Sequence, residues 1–523
     1  MRNYLVGAAV VAALGAAAPM AANAQASYHL NISGASAQRP LWEGDLEAIA
    51  TGKFNSTTDN GGATACTLTK TTPALSPAVP DLHALVCTIS ANRFAGAPNL
   101  PAGLNVGDTV TMYYGAEFGS IWGIAPFIPG STASTRGRAV LDPASGGTVT
   151  GYSRDLDTAT AGLLAPLPVD IGVSDNEPIL WASQDNWAYS DGLATGAPDG
   201  TGTNGVINVL SIPGQGQPTL AQLETLEKSW TFINGEVFTF VVEPTQPPTN
   251  ALTNLSTQSL RGIFTGQYKT WSQVPEVGGN PAIANSGASI VVCRRDHGSG
   301  SEVTTSKFLT LNECGGNNGI NSGGGAIGTA PRLVSLATNP AGKNVGSLDQ
   351  TVGGVDGIAS NPVENYSTND IKSCLAANKG VSIGLAVLGP SASYTTLKVD
   401  GVEPNAHNAA LGLYPLLAED WGFNNTATTQ GGVPAAIAAQ LFSDVEKNTG
   451  VLPSENGAFG AGGVGWTASG TASGQIVNFY LQDGFNAQPT VAAAAETGNP
   501  STPTAVWTNT PKAACTILNN KNK

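Results

Sequence analysis

The stretch that most constrains this chain is CRRDHGSGSE, from Cys293 to Glu302. An alternating run with strand character, Ala288-Ser289-Ile290-Val291-Val292, leads into it, and Val303 to Leu309 can continue as a helix. A strand that passes through a Gly-rich turn into a helix points several backbone N–H groups at one spot. Arg294 and Arg295 add guanidinium forks that can hold two oxygens of one anion, and Ser299 and Ser301 add hydroxyl donors. The segment therefore reads as a candidate oxyanion site. In open α/β sheets ligands bind beyond the carboxyl ends of strands, so other strand ends should carry matching groups.

Three do. Tyr28 to Ile32 alternates like a strand and runs through Ser33-Gly34-Ala35-Ser36-Ala37 into Leu41 to Ile49, whose apolar residues recur at helical spacing. Asp108 to Phe118 reads as a strand, with Val110, Met112 and Tyr114 on one face, and ends at Gly119-Ser120-Ile121-Trp122-Gly123. Val169 to Ser174 is a short apolar strand that ends in an acid, Asp175. Donors with no base beside a nucleophile describe binding rather than turnover, so no catalytic residue is assigned and the protein is not expected to be an enzyme. Asp175 adds selection, because a buried carboxylate tolerates only a ligand oxygen that carries a proton. That favours hydrogen phosphate or arsenate over sulfate, since an unpaired buried charge facing an anion costs several kcal/mol.

Further along, Thr219 to Trp230 reads as a helix, with Thr219 and Gln222 placed as a capping box. Val237 to Val242 is a strongly apolar strand, and the Pro-rich segment from Thr245 to Asn254 looks like a crossing between lobes. Leu255 to Gly266 is a helix with Ser256 as N-cap, Leu255 and Leu260 as a staple and Gly266 at its end. Strands are expected at Arg332 to Ala337 and at Val381 to Leu388 (the return crossing), hairpin character at Leu397 to Val402, and a helix over Ala435 to Lys447. Alternating strands and helices specify an α/β class with mainly parallel sheets flanked by helices. Two lobes joined by two hinge crossings accommodate the pattern. Residues 25–243 and 383–523 make one lobe, residues 244–382 the other, and polar insertions fall at 53–107 and 182–217.

Residues 1–24 have the order of a secretory signal peptide: Arg2, an apolar run from Leu5 to Ala18, and Ala22-Asn23-Ala24 before Gln25. No cysteine follows to carry a lipid, so a periplasmic or secreted protein is expected. Six cysteines suit an oxidising compartment, with Cys66–Cys87, Cys293–Cys314 and Cys374–Cys515 as the short-loop pairing among the 15 that six cysteines allow. They lack metal-ligand spacing, and the four histidines are scattered, so neither metal nor cofactor is expected. Charged residues make up 11% of the chain, against about 25% in an average domain, and the net charge is −14. No basic stripe offers to neutralise phosphates, which argues against a nucleic-acid partner.

The pieces GASAQRPLW, YYGAEFGSIWG, VDIGVSD, LSTQSLRGIFTGQYKTW and RRDHGSGS together resemble the periplasmic phosphate-binding proteins of ABC transporters, which are type II solute-binding proteins. SIGLAVLG, KVDGVEP and GLYPL add to the likeness. The resemblance implies a hinged two-lobed receptor that closes on a dehydrated oxyanion, inorganic phosphate or a relative of it, and a membrane permease as partner. Carried over by position, Arg295 makes the guanidinium contact, and Ser299, Gly300 and Ser301 bind through hydroxyls and helix N-terminal amides. Asp175 accepts the ligand's proton, Ser120 donates from the third turn, and Ala37, Gln38 and Arg39 occupy the first-turn position. The chain departs from the family at two places: His297 stands where the family has an acid, and Gln38 and Arg39 replace a hydroxyl and an aromatic.

Two other classes compete with this reading. The Gly/Thr/Asn-rich inserts also suit a secreted surface or matrix scaffold that keeps the fold without transport. A hydrolase using Ser299 with His297 is disfavoured, because residues two apart on one Gly-rich turn cannot readily form a base–nucleophile pair and no G-x-S-x-G elbow is present.

Overall fold

The computed structural model describes residues 25–51, 66–71, 81–91, 99–116, 119–128, 137–150, 161–178, 181, 220–245, 248, 252–264, 266–278, 289–295, 299–310, 361–365, 368–387, 392–405, 408–409 and 413–447. The expected signal peptide, the loop at 182–217, the capping residue Thr219, the strand at Arg332 to Ala337, and His297, Cys314 and Cys515 lie outside these residues.

The first half of the chain builds on β1 (Ser27–Gly34), which pairs in parallel with β4 (Thr109–Gly115) on one side and β5 (Ile171–Ser174) on the other. The alternation seen in the sequence is what the sheet uses. Leu30, Ile32, Val110, Met112 and Tyr114 form one buried cluster with Leu41, Trp42 and Leu46 of helix α1 (Arg39–Thr51). Gly34 ends β1 because nothing larger fits: at φ 132° a Cβ would lie 1.8 Å from the Val173 carbonyl oxygen. That close approach lets the Ala35 N–H donate to the same oxygen at 3.0 Å, turning the chain into α1.

The segment expected as a polar insertion contributes to the sheet. β2 (Cys66–Lys70) and β3 (Leu82–Thr88) form an antiparallel hairpin that pairs with β4 and is closed by the Cys66–Cys87 disulfide. Its apolar residues Leu82, Ala84, Leu85 and Cys87 are buried. The surrounding Pro-rich sequence hid two short strands whose burial depends on β4. Downstream of β4, Ser120 immediately precedes the short helix α2 (Ile121–Ile124). Helix α3 (Leu220–Glu227) buries Leu223 and Leu226.

The long strand β6 (Thr231–Val242) starts six residues before the expected position and links the two halves. Its first part pairs antiparallel with β13 (Leu417–Asn424), and residues 238–241 pair with β10 (Ser382–Val387). β13 in turn pairs with β5, so β6 and β13 carry the sheet from one half to the other. β10, expected as the return crossing, is an interior strand of the second half, between β6 and β8 (Val291–Arg295). Among the described residues the result is an 11-stranded sheet in the order β2-β3-β4-β1-β5-β13-β6-β10-β8-β9, with β9 spanning Asn361–Asn365 and β11 (Thr395–Thr396) paired to β6. It is mixed rather than mainly parallel, because both linking strands and the β2–β3 hairpin run antiparallel to their neighbours.

In the second half, β7 (Asn254–Leu255) pairs with β12 (Lys398–Val399) and leads into helix α4 (Thr257–Phe264). The expected cap is present: Ser256 Oγ accepts from the Ser259 N–H at 3.1 Å, and the Gly266 N–H closes the other end on the Ile263 carbonyl at 3.1 Å. Leu260, Ile263 and Phe264 join Phe238, Phe240, Val292, Ile383 and Leu385 in a second core. Helices α5 (Gly300–Thr310) and α6 (Thr368–Ala377) flank this part of the sheet, and α7 (Gly432–Lys447) returns to the first core through Ile437 and Leu441. The Trp42 and Phe442 rings meet edge to face at 5.1 Å.

The second disulfide joins Cys293 to Cys374, correcting the expected Cys293–Cys314 and Cys374–Cys515 bridges. Cys293 lies on β8 and Cys374 on α6, and helix-on-sheet packing with Ile371 and Leu375 brings their Cα atoms to 5.9 Å. A rule of short loops cannot see a contact made across 81 residues. No helix among the described residues is long and apolar enough to cross a membrane.

Candidate functional site

The ends of β5 and β8, the start of α5 and the linking strands β6 and β13 converge on one buried set of polar groups. Asp175 follows β5 directly and is buried, with Ser120 Oγ accepting its backbone N–H at 3.2 Å. Burial pushes the Asp175 carboxyl up to about 6, against the opposing pull of the Ser120 hydroxyl and the Arg295 guanidinium. Arg295 is the last residue of β8 and is itself buried.

Gly300, the first residue of α5, comes in from the second half and packs on both groups. A Cβ there would sit 2.5 Å from Asp175 Cβ, 2.5 Å from Asp175 Oδ2 and 2.5 Å from Ser120 Oγ. Asn176 Nδ2 donates to the Gly300 carbonyl at 2.8 Å, and Thr304 Oγ1 of α5 lies 3.2 Å from Asn176 Oδ1. Ser299 and Ser301 are buried, and their hydroxyls are 2.8 Å apart.

Two acids complete the set. β13 pairs Trp421 with Ser174, which sets Asp420 beside Asp175 at the end of β5. The register of β6 against β13 shifts at Asp420/Trp421 and pairs Glu236 with Ala418. Carboxyl oxygens of Asp175, Glu236 and Asp420 thereby lie within 4.8 Å of one another, all buried. Asp420 Oδ2 accepts from Gln38 Nε2 at 2.6 Å. Glu236 is fully buried, and neither of its carboxyl oxygens has a hydrogen-bond partner among the described residues. Burial pushes its pKa well above the ordinary carboxylate range; Asp175 adds to the rise and Arg295 opposes it. Fully ionised neighbours at this spacing repel by at least about 3 kcal/mol per pair at an effective dielectric near 20, so protons belong to the resting state of the cluster.

Residues 236–419 match the family model described as a PBP superfamily domain. The match begins at Glu236 on β6 and ends at Glu419 on β13, the two strands that link the halves. This segment is similar to a PBP superfamily domain. The mixed α/β architecture around it is of the type II periplasmic-binding-protein kind. No curated protein matches the sequence. Solved structures similar to the chain include an ABC-type phosphate transport receptor from Vibrio cholerae, at 16% identity over 42% of this chain and 68% of that one, TM-score 0.27. A putative phosphate ABC transporter substrate-binding protein with bound phosphate from Clostridium perfringens gives 19% identity over 42% and 68%, TM-score 0.27. PstS from Borrelia burgdorferi gives 18% over 44% and 71%, TM-score 0.25.

Of the residues singled out in the sequence, Ser120, Asp175, Arg295 and Gly300 come together where the PBP superfamily domain meets the first half of the chain. Ser299 and Ser301 flank Gly300, and Gln38 reaches the cluster through Asp420. Arg39 is engaged elsewhere: its Nη1 forms an ion pair with Asp81 at 2.6 Å. Ala37 is half-buried and offers only its backbone. Sequence reasoning missed Glu236, Asp420 and Asn176. The available signal was an acid inside or at the edge of an apolar strand, in Asn234-Gly235-Glu236-Val237-Phe238 and in Leu417-Ala418-Glu419-Asp420-Trp421.

Proposed function

We propose that the protein binds a small oxyanion, inorganic phosphate or a close relative, where Asp175 and Ser120 face Arg295 and the start of α5. The observation that carries this reading is the convergence of a buried guanidinium, the Ser299–Ser301 hydroxyls and the N-terminus of an 11-residue helix on a protonatable carboxyl. A guanidinium and helix N–H groups suit a tetrahedral oxyanion, and a carboxyl near them rewards a ligand oxygen that carries a proton. The lobes in this reading are the halves on either side of β6 and β13. The resemblance adds binding without turnover, export to the periplasm and delivery to a membrane permease.

Calorimetry on the mature protein with phosphate, arsenate, sulfate and a phosphate monoester tests the reading. Phosphate and arsenate should bind and sulfate should bind far more weakly. Arg295→Ala should abolish binding. No heat with any anion would sink the oxyanion reading and favour the scaffold one, and unchanged affinity in the arginine variant would move the site elsewhere.

A further inference from the structure

Glu236 is the group at the site that an oxyanion held by Arg295, Asp175 and α5 leaves without a role. It is fully buried in β6, and both carboxyl oxygens are unpartnered among the described residues. Native proteins rarely leave such a group idle, because an unmet buried carboxyl lowers stability unless it takes a proton or meets a ligand. The charged groups around it are Asp175 from the turn after β5, Asp420 from β13 and Arg295 from the end of β8. β10 and β11 bring no titratable side chain to β6, and α7 packs in the core around Ile233 through Ile437, Leu441 and Phe442.

Among the described residues, this set with every acid ionised would carry three negative charges against one guanidinium, and a desolvated anion would add to the excess. Protons have to remove it. Asp420 already accepts from Gln38 Nε2 at 2.6 Å, and Asp175 has the Ser120 hydroxyl. Glu236 has neither kind of donor, so it is the acid that most readily carries a proton, and a neutral carboxyl has one O–H to give.

We propose that Glu236 is a second selecting carboxyl of the oxyanion site, facing the ligand as a neutral acid and donating its proton to a ligand oxygen, so that anion binding takes up a proton. This inference rests on the oxyanion reading and adds to Asp175, which accepts a proton from the ligand, a partner that gives one. An anion that arrives with both a protonated and an unprotonated oxygen satisfies the pair: the monoanion of phosphate or arsenate, or a monoester. At the lower pH Glu236 holds its proton before the ligand arrives, and at the higher pH the proton is drawn from solvent as the ligand binds.

The test is phosphate titration of the full mature chain by calorimetry at about pH 5.5 and about pH 8, each in two buffers of different ionisation heat. Wild type should lose at least about tenfold in affinity across that interval beyond the change due to phosphate itself, and the buffer comparison should show proton uptake approaching one per phosphate at the higher pH. In Glu236→Gln, which keeps the shape and a fixed donor, proton uptake should fall and the pH profile should flatten. The ligand's own ionisation is common to both proteins and cancels in the comparison. Wild type that binds phosphate without proton uptake, or a Glu236→Gln variant with the wild-type profile, would overturn the proposal while leaving the oxyanion reading intact. Wild type that binds no anion at either pH would remove the reading on which it rests. Calcium or magnesium ion bound by the phosphate-free protein and lost in Glu236→Gln would overturn it in favour of a cation held by the three carboxylates.

Discussion

Asn176 Nδ2 donates to the Gly300 carbonyl oxygen at 2.8 Å, tying the turn after β5 to the first residue of α5. The two residues stand 124 positions apart in the chain. The contact places the helix N-terminus against Asp175 and Ser120, so one amide side chain sets the distance between the two sides of the site. Asn176→Ala removes the donor, although Thr304 Oγ1 still reaches the same carbonyl at 3.0 Å. Urea denaturation should show a loss of about 1–2 kcal/mol. On the proposed reading phosphate affinity should fall as well, because the start of α5 loses its tie to the turn after β5.

Gly300→Ala probes the same closeness from the other side. A methyl group there would meet Asp175 and Ser120 at 2.5 Å, well inside van der Waals contact. The helix start has to withdraw by a fraction of an ångström or the two side chains have to turn away. Phosphate affinity should drop by at least about tenfold, since positioning errors of this size are costly at a buried charged site. On the proposed hinged reading, thermal stability should change less than binding does, because the strain is relieved when the sides separate. Equal binding by the variant would show that α5 does not hold the ligand.

Cys374→Ser opens the bridge that closes an 81-residue loop between β8 and α6. Chain-entropy reasoning gives an upper bound of about 4.5 kcal/mol for the loss, and guanidinium denaturation measures it. The pairing itself is checked by peptide mapping without reduction. A single linked pair containing Cys293 and Cys374 is expected, and recovery of Cys293 linked to Cys314 would contradict the packing of α6 on β8.

How much of this was legible beforehand depended on the range of the contact. The strands with Leu30, Ile32, Val110 and Met112 and the capped helix after Ser256 are written in local alternation and cap chemistry, and they fold as read. Asp175 and Ser120 were visible because each lies in a turn that follows a strand. Glu236 was not, because Asn234-Gly235 in front of it looks like a turn and hides the first six residues of β6. Asp420 carries little local signal, and its place in the site is set only when Trp421 pairs with Ser174. That register joins positions far apart in sequence, as does the Cys293–Cys374 bridge, and neither leaves a trace in local composition.

The raised Asp175 carboxyl makes a prediction about stability against pH in the absence of ligand. Its value of about 6 in the folded protein stands above the ordinary 3.8, so the folded state holds the proton more tightly than the unfolded chain does. The stabilisation is therefore fully present below about pH 4 and is lost as pH rises through about 6. The difference of about two pKa units corresponds to about 3 kcal/mol, an order-of-magnitude figure for a fully buried group. Glu236 shifts in the same direction and adds its own slope. Asp175→Asn should leave that second slope and remove about one proton's worth, about 1.4 kcal/mol per pH unit at most, between pH 4 and 6. Urea midpoints measured at half-unit steps in phosphate-free buffer decide the matter. A variant whose profile parallels wild type through this window would show that Asp175 titrates as an ordinary exposed carboxyl, and the buried cluster would lose the member that gives the site its preference for a protonated ligand.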